Sequence, residues 1–376
     1  MLNSKTGRLL SLLPVAFFKQ RIIEMTFFVT DRCNMHCDHC FNELMNQKHS
    51  KKLLSIEEID AFSKNLGPML RLLLSGGEPF LRSDLAELCM TFIKNTRLTH
   101  LTIPTNASFT EKTIQDVERI AKTYPKTFVE VKVSLDHIGE KRDAFTHTPG
   151  GFDKMIETVA QLKKLKKRYR NIGLGTLTNM VPENQDDIEK IYEFARDELQ
   201  VEHYGVGMAR DHNGYSPNLN ANRFFDFYLK IFKEEKPEPG LKMPLYKIAR
   251  KITHFRTYLD MKYRNNQPEY MPCLSGTIRA VLDPFGNVYP CETKGYPYHS
   301  LPNDPWLIGN LRDYDYSFKN LWGSPKAKEI RKRIIDQRCL CNHTCDMNIN
   351  ILFNWRMLLK ALLFPLDKIN KNTFQN

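Results

Sequence analysis

Between residues 24 and 208 short apolar runs alternate with longer amphipathic stretches, and this alternation constrains the fold more than any other feature of the chain. The runs 24–31, 70–75, 99–104, 128–135, 171–178 and 201–208 read as strands, several of them stopped by turn residues such as Gly76-Gly77. Helical periodicity fills 85–95, 110–123, 152–168 and 184–198 between them. Ser55-Ile-Glu-Glu58 opens a further helix with a capping-box pattern, and Asp84 is placed to cap the next. Strands that alternate with helices pair in parallel through right-handed crossovers. Six such units predict an α/β fold, a barrel or partial barrel of TIM type, with functional loops at the carboxyl ends of the strands.

The pattern breaks after about residue 210. A polar loop, Asp211–Asn220, leads to a helix near 221–235, a Pro/Gly-containing linker over Lys236–Pro244 and a basic helix near 245–265. Residues 278–291 then read as a β-hairpin around Asp283-Pro-Phe-Gly286. We therefore expect an N-terminal extension over 1–23, a barrel domain over 24–235 and a smaller C-terminal domain of hairpin plus helices over 236–376. The apolar stretch Leu9–Phe18 lacks a small-residue cleavage site and runs straight into Lys19 and Arg21, so it does not read as a secretory signal. No window approaches the roughly 20 uninterrupted apolar residues of a transmembrane helix. A reducing cytoplasm is the expected setting. The net charge of +12 is a bias of 55 basic over 43 acidic residues, compatible with an anionic partner but without a strong nucleic-acid signal.

Nine cysteines are too many for packing alone, and eight fall in two groups: 33, 37, 40 and 273, 291, 339, 341, 345. Cys89 sits alone on an apolar helix face and reads as core. A disulfide framework suits a small secreted domain better than a chain of 376 residues. Metal is the better reason for the thiols. Cys33-Asn-Met-His-Cys37-Asp-His-Cys40 puts three thiolates on one loop directly after a strand. Four-iron clusters usually take four, so three would leave one iron open for chemistry. Spacing alone also allows a zinc site, with His36 or His39 as fourth ligand.

The spacing of three residues and then two, on a loop leaving the first strand, resembles the signature of the radical S-adenosylmethionine (radical SAM) superfamily. Its fold is the partial (β/α)6 barrel, and its open iron binds the amino and carboxylate groups of S-adenosylmethionine. His39 stands where members usually carry an aromatic residue. Ser75-Gly76-Gly77-Glu78-Pro79 resembles the Gly-Gly-Glu segment whose backbone receives the methionine amino group. Glycines would let that backbone approach the ligand, and turn carbonyls can accept from an ammonium. Thr105-Asn106-Ala107 resembles a Thr-Asn-Gly segment. Ser134-Leu135-Asp136 resembles Ser-Leu-Asp-Gly, which implies that Ser134 and Asp136 also face the cofactor. Thr146 stands where the family's carboxylate-pairing arginine is expected, and Arg142 or Arg210 are the alternatives for that role.

The second group resembles the auxiliary-cluster extension called SPASM or, shortened, twitch. Cys273 and Cys291 flank the hairpin, and Cys339-Leu-Cys341-Asn-His343-Thr-Cys345 follows. Seven cysteines make two extra clusters in the full pattern. Five imply one auxiliary [4Fe–4S] cluster, held by Cys273, Cys291, Cys345 and either Cys341 or Cys339, with Cys341 preferred. The resemblance implies reductive cleavage of S-adenosylmethionine to a 5′-deoxyadenosyl radical, fed by an electron donor of flavodoxin or ferredoxin type. It points to a peptide or protein substrate. The rival enzyme reading is a small molecule such as a sugar alcohol or lipid precursor, and the non-enzyme reading is a zinc-stabilised binding module. The closing basic, amphipathic stretch 349–366 is expected to cover the auxiliary cluster, with peripheral contact to a membrane surface as its other role. The basic run Lys163–Arg170 reads as a solvated helix end.

Overall fold

The computed structural model describes residues 21–40, 52–211, 214–215, 218–234, 243–294, 304–341 and 343–365; of residues 210, 211, 214, 215, 243–246 and 345 it describes the backbone alone. Residues 1–20 of the expected extension, most of the 236–244 linker and the end of the closing stretch lie outside the described residues, as do the side chains of Arg210 and Cys345.

The first half follows the expected alternation. Strand β1 (Glu24–Thr30) leads into the cysteine loop, and helix α1 (Ile56–Ser63) follows. Then come β2 (Arg71–Gly76), α2 (Leu85–Thr96), β3 (His100–Thr105), α3 (Thr110–Thr123) and β4 (Phe128–Ser134). A short helix α4 (Glu140–Phe145), which periodicity over six residues could not reveal, precedes α5 (Gly151–Arg168). Strand β5 (Ile172–Met180), α6 (Ile188–Glu193) and β6 (His203–Met208) complete the series. The capping box at α1 forms as expected: the Glu58 amide donates to Ser55 Oγ at 3.3 Å and the Ser55 amide to Glu58 Oε2 at 2.8 Å. Asp84 does not cap α2. It holds the N-cap position, but Arg82 Nε donates to its Oδ1 at 2.6 Å, and a carboxylate drawn into a charged pair is not available to the helix amides.

After β6 come a two-residue ribbon, β7 (Arg210–Asp211) with β8 (Gly214–Tyr215), and helices α7 (Ala221–Glu234) and α8 (Met243–Arg264). The hairpin is β9 (Arg279–Leu282) with β10 (Asn287–Tyr289), and β11 (Gly309–Asn310) pairs beside it. Helices α9 (Phe318–Gly323), α10 (Pro325–Asp336), α11 (Thr344–Leu352) and α12 (Trp355–Leu363) end the described chain. The sheet order is β11-β10-β9-β1-β2-β3-β4-β5-β6, parallel from β9 to β6. The hairpin thus extends the sheet built by the first half: Arg279 lies in register with Glu24 across 255 residues of sequence. No periodicity argument could place that strand, because a parallel partner is chosen by packing rather than by local pattern.

Alternate strand residues such as Met25, Phe27, Leu72, Leu74, Val129 and Val131 pack with α1, α2 and α3 into one main core, where Cys89 is buried as expected. A second core gathers α7, α8, α11 and α12 around Phe225, Phe227, Phe255 and Met357. The 163–170 run is mostly solvent-facing, with Lys166 paired to Glu202 and Arg168 to Glu118.

Candidate active site

The carboxyl ends of β1 to β5 open into one cavity of about 180 Å³. Cys33, Cys37 and Cys40 line it from the loop after β1, and Gly76, Gly77 and Glu78 from the end of β2. Thr105 and Asn106 come from β3, Ser134 and Asp136 from β4, and Arg142 from α4. The three cysteines, Gly76, Gly77, Glu78, Thr105, Asn106, Ser134, Asp136 and Arg142 are therefore in one place, whereas His36 is exposed and does not line the cavity and the side chain of Arg210 lies outside the described residues. Asn179, at the end of β5, and Phe145 also line the cavity and were missed. The rule that parallel strands present function at their carboxyl ends could have found Asn179.

The glycine pair has a local reason within the fold as well. A Cβ on Gly77 would stand 1.9 Å from the Arg32 carbonyl oxygen, and one on Gly76 2.2 Å from that of Thr30. The Gly77 amide donates to Thr30 O and the Glu78 amide to Arg32 O, both at 2.9 Å. The glycines let the β2 turn lie against the chain entering the cysteine loop. Gly76, at φ 129°, also needs the freedom of a residue without a side chain.

Asn106 is the hub of the loop. Its Nδ2 donates to Asn34 Oδ1 at 2.9 Å, its Oδ1 accepts from Ser108, and its carbonyl accepts from Arg142 Nη2 at 2.8 Å. The far side of the loop is tied to α4, His36 N donating to Thr146 O and Asp38 N to Phe145 O. His39 stacks on Phe145 at 5.2 Å between centroids and lies 3.4 Å from Asn179 Nδ2, filling the aromatic position before the third cysteine with a ring.

Glu78 is fully buried and acts as a strut. Its Oε1 accepts from Phe80 N and from Thr105 Oγ1, and its Oε2 from Asn106 N at 2.7 Å. Burial pushes this carboxyl up to about 7 against those three donors, which favour the charged form. Burial also raises the Cys33 thiol to about 11 and Cys37 to about 12, and raises Asp136. A thiolate here needs a cation or a cluster to be stable. Arg142 is buried, and burial lowers its pKa; its Nη1 has no hydrogen-bond partner among the described residues. Thr146 lines the same cavity, its Oγ1 donating to Arg142 O.

Four thiols of the second group lie within electrostatic reach of one another across long sequence separations. Cys341 interacts electrostatically with both Cys273 and Cys291, while Cys339 interacts with Cys273 and Lys294. Burial raises Cys273 to about 11 and raises Cys291 and Cys341 well above the ordinary thiol. Asp346 acts on all four. Beneath them lies a charge network: fully buried Arg279 meets Glu24 at 2.6 Å, Glu292 at 2.9 Å and Asp346 at 2.9 Å, and His343 Nδ1 meets Asp346 at 2.7 Å. Cys341 packs against the second core, to which Met347 and Ile351 of α11 belong. Helix α12 puts Met357 and Ala361 into the same core and leaves Trp355, Leu359 and Leu363 to solvent.

The donor chemistry fits iron–sulfur clusters. Two groups of soft thiols, half-buried except for buried Cys291 and none of the described ones in a disulfide, stand with an unpartnered guanidinium nitrogen at the first of them. Comparison with known proteins agrees. The radical SAM superfamily pattern matches residues 27–195, and that of an iron–sulfur cluster-binding domain, SPASM, matches 273–346. An AdoMet-dependent heme synthase of Methanosarcina barkeri is 25% identical over 320 residues, 81% of this chain and 82% of the relative. A probable GTP 3′,8-cyclase of Methanococcus maripaludis is 26% identical over 201 residues, 50% of this chain and 65% of the relative; the chain thus spans less than two thirds of that protein's length. A solved structure of anSMEcpe with bound AdoMet superposes with a TM-score of 0.55 at 17% identity, over 92% of this chain and 98% of that one, which establishes the shared fold. The sheet and its helices are therefore a partial (β/α)6 barrel with an auxiliary-cluster extension. The chain carries a radical SAM domain over residues 27–195 and a SPASM iron–sulfur cluster-binding domain over residues 273–346, which imply a [4Fe–4S] cluster with S-adenosylmethionine at the first and an auxiliary cluster at the second.

Proposed function

We propose that Cys33, Cys37 and Cys40 hold the catalytic cluster, and that the chain acts on a peptide or protein side chain. When bound and reduced, cluster and S-adenosylmethionine supply a 5′-deoxyadenosyl radical that abstracts hydrogen from substrate. The protein's part is orientation and exclusion of water. In this reading the unpartnered Nη1 of Arg142 takes the methionine carboxylate, in place of the arginine whose position Thr146 occupies. Carbonyls of the Gly76–Gly77 turn accept from the ammonium, Glu78 holds that turn against Thr105 and Asn106, and Ser134 and Asp136 face the ribose end. Cys273, Cys291, Cys341 and Cys345 hold the auxiliary cluster and Cys339 is spare. The domain division at residue 236, a cytoplasmic setting and a flavodoxin- or ferredoxin-type donor belong to the same proposal.

The observation that carries the peptide reading is the open side of the sheet. Strand β6 is its last strand, only partly covered, and it neighbours β5, whose Asn179 lines the cavity. An extended segment can lie along such an edge with its backbone groups satisfied. The small-molecule reading is favoured by the nearly end-to-end similarity to a heme synthase. Among the described residues no helix is long and apolar enough to cross a membrane. The test is to incubate reduced enzyme and S-adenosylmethionine with peptides encoded beside its gene and to follow peptide mass. A mass change with matching 5′-deoxyadenosine supports the proposal. Stimulation by small-molecule extracts alone overturns it in favour of the second reading.

A further inference from the structure

We propose that α12 is a surface helix that seats this enzyme on anionic phospholipid. The helix is preformed: Asn354 caps it, its side chain accepting from Arg356 N at 3.1 Å and Met357 N at 3.3 Å. At about 100° per residue its side chains sort into three sectors. Met357 and Ala361, with Phe364 just beyond, face inward onto the second core. Trp355, Leu359 and Leu363 share a sector about 80° wide and are 69%, 49% and 73% exposed, and Leu352 at the end of α11 is 40% exposed. Arg356 and Lys360 lie between these two sectors. No acidic residue occurs from Met347 to Pro365.

Glu269 meets Lys360 at 2.9 Å and Lys262 at 3.7 Å, so this carboxylate is shared between two cations. Lys251 Nζ donates to Leu362 O at the end of the helix, bringing a further cation from α8 to this side of the molecule. An exposed apolar stripe flanked by cations is what an anionic interface accepts: the stripe enters the acyl boundary and the cations meet lipid phosphates. A protein partner fits less well. Nine residues of helix are about 13 Å long, and four side chains cannot supply the roughly 800 Å² per partner of a stable interface.

The chain carries its own reporter. Of its three tryptophans Trp306 and Trp322 are buried, so a change in emission on adding vesicles reports Trp355. Full-length reconstituted enzyme is mixed with vesicles of phosphatidylglycerol and phosphatidylcholine, or of phosphatidylcholine alone. We expect a blue shift and co-sedimentation with the anionic vesicles, weakened by high salt. The triple substitution Trp355→Ser, Leu359→Ser, Leu363→Ser should lower partitioning at least about tenfold with an unchanged thermal melt, since these side chains leave the core untouched. Arg356→Gln with Lys360→Gln should abolish the preference for anionic over neutral vesicles. The proposal is overturned if the unmodified chain neither shifts nor sediments with anionic vesicles. It is equally overturned if the triple variant sediments as before, or if the stripe instead drives a concentration-dependent dimer that the triple variant loses. Should the triple variant not fold, the tryptophan shift of the unmodified chain decides alone.

Discussion

Replacing Arg279 with Met tests the idea that the C-terminal extension is locked to the barrel by a buried cation. Arg279 is wholly buried and donates to Glu24, Glu292 and Thr26, with Asp346 on its Nε. Methionine is of similar length, so little volume is lost, but three carboxylates are left facing one another with His343 as their remaining counter-charge. Each charge-assisted bond is worth roughly 1.5–3 kcal/mol taken singly. The carboxylates will take up protons rather than stay charged and unpaired, so the net loss should be that of breaking one buried pair, about 3–5 kcal/mol. With a urea slope of about 3 kcal/mol/M, the unfolding midpoint should fall by roughly 1–1.7 M.

The pH dependence gives a second readout. In the native chain Arg279 and His343 outweigh burial and hold Glu292 at about 2, and they lower Asp346 as well. Depressed carboxylates contribute stability above their ordinary pKa, and that stability is lost only as pH falls toward 2. In the variant the same groups are raised, so its deficit is full near pH 8 and shrinks as they protonate on acidification. Urea unfolding of the anaerobically purified chain at pH 8 and pH 5.5 should show the gap between variant and native protein narrowing. A midpoint within about 0.3 M of the native protein, or a gap that does not change with pH, refutes the argument.

Anaerobically reconstituted enzyme should hold about eight irons per chain; Cys33→Ala, Cys37→Ala and Cys40→Ala together should leave about four and abolish 5′-deoxyadenosine formation, by iron assay and chromatography. Cys341→Ala should lose the second cluster and Cys339→Ala retain it; equal loss of iron in both would show that the spare thiol is wrongly assigned. Gly77→Ala forces a Cβ to within 1.9 Å of the Arg32 backbone, so the turn must shift, and S-adenosylmethionine affinity measured by equilibrium dialysis should fall at least about tenfold while the auxiliary cluster is kept. Unchanged affinity would mean that the turn does not shape the pocket.

Much of this molecule is decided locally. The period of the apolar residues set the six strands and their helices, with α3 found at the expected residues, because each amphipathic face must be buried whatever its partner. The capping box at Ser55 formed from four consecutive residues for the same reason. Cys33, Cys37 and Cys40 share a loop of eight residues, so their proximity is covalent. What sequence could not carry is the choice among distant partners. Only the fold lays Arg279 beside Glu24, gives Asp84 to Arg82 instead of to its helix, and turns the Glu78 carboxylate toward Thr105 and Asn106. It also decided which face of α12 meets the second core and which is left to solvent. These outcomes depend on which charges and apolar faces compete for the same neighbour. A linear pattern states what a side chain needs, and tertiary packing, through desolvation and hydrogen-bond geometry, determines which neighbour supplies it.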